Sequence, residues 1–222
     1  MHVGRQTSRA TEMKGLLDYG RSAAKRLCRR PRTRWFSVMM KGLDVQLPEC
    51  QARVSVDVEE LPPDATQIAI ALDHLPTIHT FDIPQRVESG HRCFVARYGQ
   101  QAVYVTWIAL GQCYSYALDR EYELADDEAY SYSSYALPEF RGNAIHPAVR
   151  CHILRLLKEA GYERAYSFID PKNRAAKRMP GRLGYEKVGI TGFVEVAGIR
   201  WYSHWDRGTF GALEKRSYLR KM

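Results

Sequence analysis

The chain lacks any apolar stretch long enough to cross a membrane as a helix. Its best run, residues 102–110, falls well short of the roughly 20 residues needed. Its five cysteines, Cys28, Cys50, Cys93, Cys113 and Cys151, are odd in number and form no CxxC pair, so neither a disulfide framework nor a zinc ligand set is expected, and no metal. Low-complexity tracts and internal repeats are missing too. With 45% hydrophobic and 26% charged residues, this excludes a disordered, collagen-like, coiled-coil or solenoid chain. Reduced thiols without a membrane span point to a cytoplasmic protein.

Acidic charge is scarce in one place only. Residues 1–41 carry eleven Lys or Arg against Glu12 and Asp18, a charge of +9, while the remainder holds 22 basic and 23 acidic side chains and is nearly neutral. The chain therefore divides into a basic arm, 1–41, and a body, 42–222. Within the arm, residues 11–28 have a loosely amphipathic helical pattern that Gly15 and Gly20 weaken and Pro31 ends. Such an arm suits a solvated or partner-docking tail, an anionic lipid surface with the protein peripheral at a membrane, or an RNA backbone. Its Arg-rich composition also fits an organelle transit peptide.

In the body, residues 53–58 alternate as a strand, 61–64 form a turn, and the apolar run 67–72 suits a short buried strand. A brief helix is expected over 83–89, with Pro84 in its first turn. Residues 92–98 and 102–110 read as a hairpin joined by Gly99-Gln100-Gln101, 119–128 as a polar loop, and 129–137 as a strand stopping at Pro138. Ile145, Val149, Ile153, Leu156, Leu157 and Ala160 recur at helical spacing, giving the clearest helix, 145–160, with Gly161 as its C-cap. A strand over 164–169, helical spacing over 173–183, and strands over 185–196 and 199–205 complete the order. The fold class is α+β, a mixed central sheet flanked by helices, with one strand–helix–strand crossover.

The chemistry concentrates between the strand end and the best helix, in Leu137-Pro138-Glu139-Phe140-Arg141-Gly142-Asn143-Ala144-Ile145-His146. A small-residue turn there leaves backbone N–H groups free, where the helix dipole adds about half a positive charge. Arg141 adds a full charge, and Gly142 and Ala144 let phosphate oxygens approach the backbone. By spacing alone the segment is equally an ordinary strand-to-helix turn.

Residues 138–145 resemble the acyl-CoA loop of the GNAT superfamily of acetyltransferases, whose pattern is Arg or Gln, two residues, Gly, one residue, Gly or Ala. Asn173, followed by Leu183-Gly184-Tyr185, is similar to that family's second signature, an Asn opening a helix that ends in Leu-Gly-aromatic. The resemblance spans about residues 92–205. It implies that the main chain at Leu137 pairs with the pantetheine arm, that Arg141, Gly142, Asn143, Ala144, Ile145 and His146 hold the pyrophosphate, and that Asn173 lies near the thioester. His146 adds a donor when protonated, and Ala144 fits in place of the usual glycine if its φ is negative. Pro180 stands where many members have the tyrosine that protonates the departing thiolate.

For a base, Glu128 and Tyr132 on the same strand are the candidates, beside surface or structural roles for both; His74, His79 and His91 lie in an earlier, less determined region. The implied function is direct transfer of an acetyl or other acyl group from CoA to an amine of a small molecule, such as an amino sugar or envelope precursor. An aminoacyl-tRNA-dependent transferase and a non-catalytic CoA-binding or interaction module are the alternatives. A homodimer is left open.

Overall fold

The computed structural model describes residues 31–206 apart from Arg178. Most of the arm, including the helix expected over 11–28, lies outside the described residues. The chain divides into a large unit, 36–191 with 204–206, and a small one, 31–35 with 192–203. Among the described residues no helix is long and apolar enough to cross a membrane.

The large unit is built on a mixed sheet. Strand β1 is Arg32–Gly42, so it begins inside the segment assigned to the arm. It is followed by β2 (Asp57–Leu61), helices α1 (Ala65–Ala71), α2 (Thr77–Thr80) and α3 (Ile83–Glu88), and strands β3 (Arg92–Tyr98) and β4 (Gln101–Leu110). Then come the small hairpin β5 (Gln112–Ser115) and β6 (Arg120–Glu123), strand β7 (Glu128–Ala136), helix α4 (Ile145–Glu159), strand β8 (Arg164–Ile169), and helices α5 (Arg174–Lys177) and α6 (Met179–Leu183). Strands β1, β8, β7, β4, β3 and β2 lie side by side in that order. Every pairing is antiparallel except β7 with β8.

Burial explains the order. β4 is buried at eight consecutive positions, as a central strand covered on both faces must be, and Tyr104 and Trp107 are its largest buried side chains. On α4, Ile145, Val149, Ile153 and Leu157 are buried at four-residue steps and seat the helix on the sheet.

Two expectations are corrected. The run read as a strand over 67–72 is helix α1, because Asp64 accepts a hydrogen bond from the Gln67 N–H at 2.9 Å and Ile68, Leu72 and Leu75 bury one side at helical spacing. The polar loop expected over 119–128 contains β6, paired with β5 through a turn at Asp119, whose φ is 53°, and anchored by buried Tyr122.

The small unit holds the far part of β9 (Glu186–Val196) and most of β10 (Ile199–Asp206), joined through Ala197 and Gly198 at φ 52° and 83°. Arg200 Nε donates to Glu195 Oε2 at 2.5 Å. A Cβ at Gly192 would lie 2.2 Å from the Arg34 carbonyl oxygen, so only glycine fits there.

Candidate active site

The site begins where a ladder ends. β7 and β8 run parallel only from Glu128↔Arg164 to Ser131↔Ser167. On its other edge β7 pairs Tyr132 with Trp107 and Tyr135 with Val105, so Ser133 and Ser134 together oppose the single residue Thr106. This is a β-bulge, with Ser133 at φ 51° and the Ser134 and Thr106 hydroxyls 2.7 Å apart. The bulge turns β7 away from β8 and opens a cavity of about 570 Å³, with Ser131, Ser134 and Ala136 on one wall and Ser167, Phe168 and Ile169 on the other. Beyond Ser131 the β7 backbone has no β8 partner, and so offers an extended ligand an edge to pair with.

At the top of the cavity the chain turns into α4. Leu137 is buried, its N–H donating to the Val103 carbonyl at 3.0 Å, and residues 138–140 make one 3₁₀ turn. Gly142 has φ 85°, which glycine adopts freely. Asn143 Nδ2 donates to the Phe140 carbonyl at 3.2 Å, and the Asn143 carbonyl accepts from the Arg53 N–H at 2.8 Å. Ala144 is the N-cap of α4 at φ 55° and ψ 23°, not the negative φ expected, and no side chain caps the helix. The first N–H groups of a 15-residue helix are thus left for a ligand. Counting back from Gly142, the Arg or Gln position of the acyl-CoA pattern falls on Glu139. Arg141 instead supplies the charge, its Nε donating to the Ala136 carbonyl at 3.2 Å and its guanidinium 5.5 Å from the Tyr135 ring.

The electrostatics are one-sided. Arg53, Arg141, Arg150 and Arg182 line the cavity, and among the described residues no Asp or Glu does. Arg150 is 4% exposed and forms no ion pair among the described residues, its guanidinium lying 6.0 Å from the Tyr185 ring. Ser131 Oγ, also in the wall, is buried without a hydrogen-bond partner, and the buried Tyr185 hydroxyl has the Arg150 side chain beside it. A buried cation and an unsatisfied polar atom beside an empty space fit a polar, anionic ligand.

His146 lies in the same wall with its Nδ1 2.8 Å from the buried Tyr104 hydroxyl. Burial first, and then the Arg150 charge, push its pKa down to about 3. It is neutral near pH 7, which removes the protonated phosphate donor expected from the sequence. Asn173 lines the cavity and caps α5, accepting from the Ala176 N–H at 3.1 Å.

Of the two base candidates, Glu128 is not brought to the cavity. It is 4% exposed and its carboxylate accepts from Arg164 Nε, the Tyr166 hydroxyl and the Ala125 N–H, each at 3.1 Å. These bonds hold the closed end of the β7–β8 ladder, and Glu128 is not among the residues that line the cavity. Tyr132 does line the cavity. Its hydroxyl lies 2.6 Å from His91 Nδ1. Ser133 Oγ is 3.4 Å from His79 Nδ1, a long contact.

Sequence reasoning did not find Arg53, Arg150 or Arg182, nor the partnership of His91 with Tyr132. Arg150 carried a signal, a basic residue directly after Val149 on the apolar stripe of α4; the others come together only through the fold. Among the described residues no group of three or more His, Cys, Asp or Glu is placed to hold a metal ion.

No family model matches the sequence, and no curated protein is significantly similar to it. Solved structures do match. A GCN5-related N-acetyltransferase from Kribbella flavida superposes with a TM-score of 0.51 at 14% identity, over 74% of this chain and 60% of its own. A protein described as an acetyltransferase from the GNAT family, from Novosphingobium aromaticivorans, gives 0.50 at 16% identity over 73% and 64%. A tandem GNAT protein from the clavulanic acid biosynthesis pathway gives 0.51 at 15% identity over 76% and 55%.

The chain has the GNAT fold. The α+β architecture expected from the sequence, a mixed sheet flanked by helices, is the one observed. At these identities the likeness is one of fold. The chain spans less than two thirds of the length of these three GNAT proteins.

Proposed function

We propose that this protein is an acyl-CoA-dependent N-acetyltransferase that moves an acetyl or other acyl group directly from CoA to an amine of a small molecule, such as an amino sugar or an envelope precursor. One observation carries the reading: a cavity between splayed parallel strands, walled among the described residues by Arg53, Arg141, Arg150 and Arg182 without a carboxylate, and closed by the uncapped N-terminus of α4. Bound acetyl-CoA would supply an activated acyl thioester. The free β7 edge at residues 133–136 would pair with an extended pantetheine amide chain, as an added strand does. Backbone N–H groups from Gly142 to His146 would meet the pyrophosphate, with Arg141, Arg53 and Arg182 neutralising phosphate charge. Leu137 fixes the strand end and Asn173 flanks the inner part of the cavity. Neutral His146 contributes a polar ring nitrogen and no charge.

Direct transfer is favoured because the serines lining the cavity lack a close base. Ser134 is paired with Thr106, and Ser133 is at arm's length from His79. Holding the amine against the thioester would then provide most of the rate.

The test is thermal unfolding of the full chain with acetyl-CoA, CoA and longer acyl-CoAs, followed by thiol release with a panel of primary amines. At a concentration of 100 times Kd, a ligand of the folded state adds about 2.7 kcal/mol, a rise of about 5–10 °C for a chain of this size. No shift with any acyl-CoA would refute the proposal, and a shift without thiol release from any amine would leave a CoA-binding module in its place.

A further inference from the structure

Arg86, on α3, is 4% exposed, and its Nε and Nη1 are buried without a hydrogen-bond partner. It forms no ion pair among the described residues. Its guanidinium instead sits among rings, 5.0 Å from Trp107, 5.2 Å from Tyr132 and 5.6 Å from Phe81. A buried cation without a counter-ion is costly, and contacts with aromatic faces offset only part of that cost. Its surroundings give it a use.

Beside Arg86 runs a chain of hydrogen bonds that starts in the cavity wall. The Tyr132 hydroxyl is 2.6 Å from His91 Nδ1, and His91 Nε2 is 2.7 Å from the Gln112 carbonyl oxygen. A carbonyl oxygen only accepts, so Nε2 carries the ring proton and Nδ1 accepts from the tyrosine hydroxyl. Burial is the largest influence on His91 and favours its neutral form. The Gln112 carbonyl and Asp82 oppose this, and the Arg86 charge supports it. Meanwhile Pro180, at the position where the resemblance expects an acid, has no proton to give.

We infer that Tyr132 and His91 form a proton shuttle that takes the proton of the attacking amine and returns it to the departing thiolate. The inference rests on the acyl-CoA reading above. As the amine nitrogen bonds to the acyl carbon, its proton passes to the Tyr132 oxygen while the Tyr132 proton moves to His91 Nδ1. The carbon–sulfur bond breaks with its electron pair on sulfur. The proton then returns by the same route to the sulfur, giving the CoA thiol, and both side chains end as they began. Burial, helped by the Arg86 charge, keeps His91 unprotonated at rest and disfavours a lasting imidazolium, so the proton is sent back out. Tyr132 is the group that meets the reactants, and His91 acts through it as a positioning residue.

The experiment uses the full chain, acetyl-CoA, and hydroxylamine as a nucleophile small enough to enter any acceptor site, with thiol release followed between about pH 5 and 8.5. Wild type, Tyr132→Phe, His91→Gln and His91→Gly are compared. All four should show the same acetyl-CoA thermal shift. The three variants should lose about 100-fold or more in rate. With rates expressed per hydroxylamine free base and corrected for the reaction in buffer, the wild-type rate should rise with pH through a value below 6.5, the variants at His91 should lack that rise, and added imidazole should restore part of the rate of His91→Gly alone. A His91→Gln enzyme with the wild-type rate and pH profile would overturn the shuttle. So would a wild type that binds acetyl-CoA yet releases thiol no faster than buffer. Failure of the wild type to bind acetyl-CoA would overturn the acyl-CoA reading and the shuttle with it.

Discussion

Arg150→Met separates a residue kept for a ligand from one kept for the fold, because the two roles predict opposite outcomes. Arg150 is 4% exposed, lines the cavity and has no ion pair among the described residues. Methionine has a similar length and no charge. Replacing buried ionic groups with apolar ones of similar volume is neutral or stabilising by about 1–4 kcal/mol. Against this stands the buried contact with Tyr185, 6.0 Å away, worth about 2 kcal/mol. The two nearly cancel, so the ligand-free Tm should stay level, each residual kcal/mol moving it by about 2–4 °C. Acetyl-CoA affinity should fall instead. One charge-assisted hydrogen bond is worth about 1.5–3 kcal/mol, which is about 10- to 100-fold in Kd. Calorimetric titration and a thermal melt on the same preparation measure both. A Tm lowered by several degrees with an unchanged Kd would make Arg150 a structural cation and not a ligand-binding one.

Three further outcomes follow from particular contacts. Glu128→Gln removes the buried charge that holds Arg164 and Tyr166, so stability should drop by about 2 kcal/mol in urea unfolding while the acetyl-CoA Kd stays within about twofold; the reverse pattern would restore a catalytic role. Ala144→Gly relieves a left-handed φ of 55° and should raise Tm by about 2–4 °C, a result that a lowered Tm would contradict. The folded-state pKa of His146, about 3, lies below its ordinary 6.5, so the unfolded chain takes up the proton first. That contribution to stability is present above pH 6.5 and is lost as pH falls toward 3, at about 1.4 kcal/mol per pH unit. Urea midpoints measured from pH 7.5 downward should show a smaller acid loss in His146→Phe than in wild type, and equal losses would exclude the effect.

What the sequence made legible was what is local. The i, i+4 burial of Ile145, Val149, Ile153 and Leu157 marked α4, and the helix stands where expected. The segment 67–72 misled because six residues are too few to distinguish a buried strand from a helix, although Asp64 could have been read as its N-cap. The second hairpin was hidden by composition, since Tyr122 is the fully buried side chain of an otherwise polar β6. Ala144 carried no mark of its positive φ, a conformation imposed by the turn out of the 3₁₀ segment. The arginines that line the cavity come from separate stretches, Arg53 from the loop before β2 and Arg182 from α6, and no spacing rule links them. The same holds for His91 and Tyr132, which are 41 residues apart in sequence and adjacent only because β3, β4 and β7 lie side by side. Glu128 was favoured by its place at a strand end, but the structure shows that end to be the closed one.

The proposed function depends on acyl-CoA binding in the cavity between β7 and β8. Calorimetric titration of acetyl-CoA into the full wild-type chain tests it most directly, with Arg141→Ala alongside. Saturable binding of one acetyl-CoA per chain, weakened about tenfold or more in Arg141→Ala, is the predicted result. Absence of binding at millimolar acetyl-CoA, or binding that Arg141→Ala leaves unchanged, would contradict it.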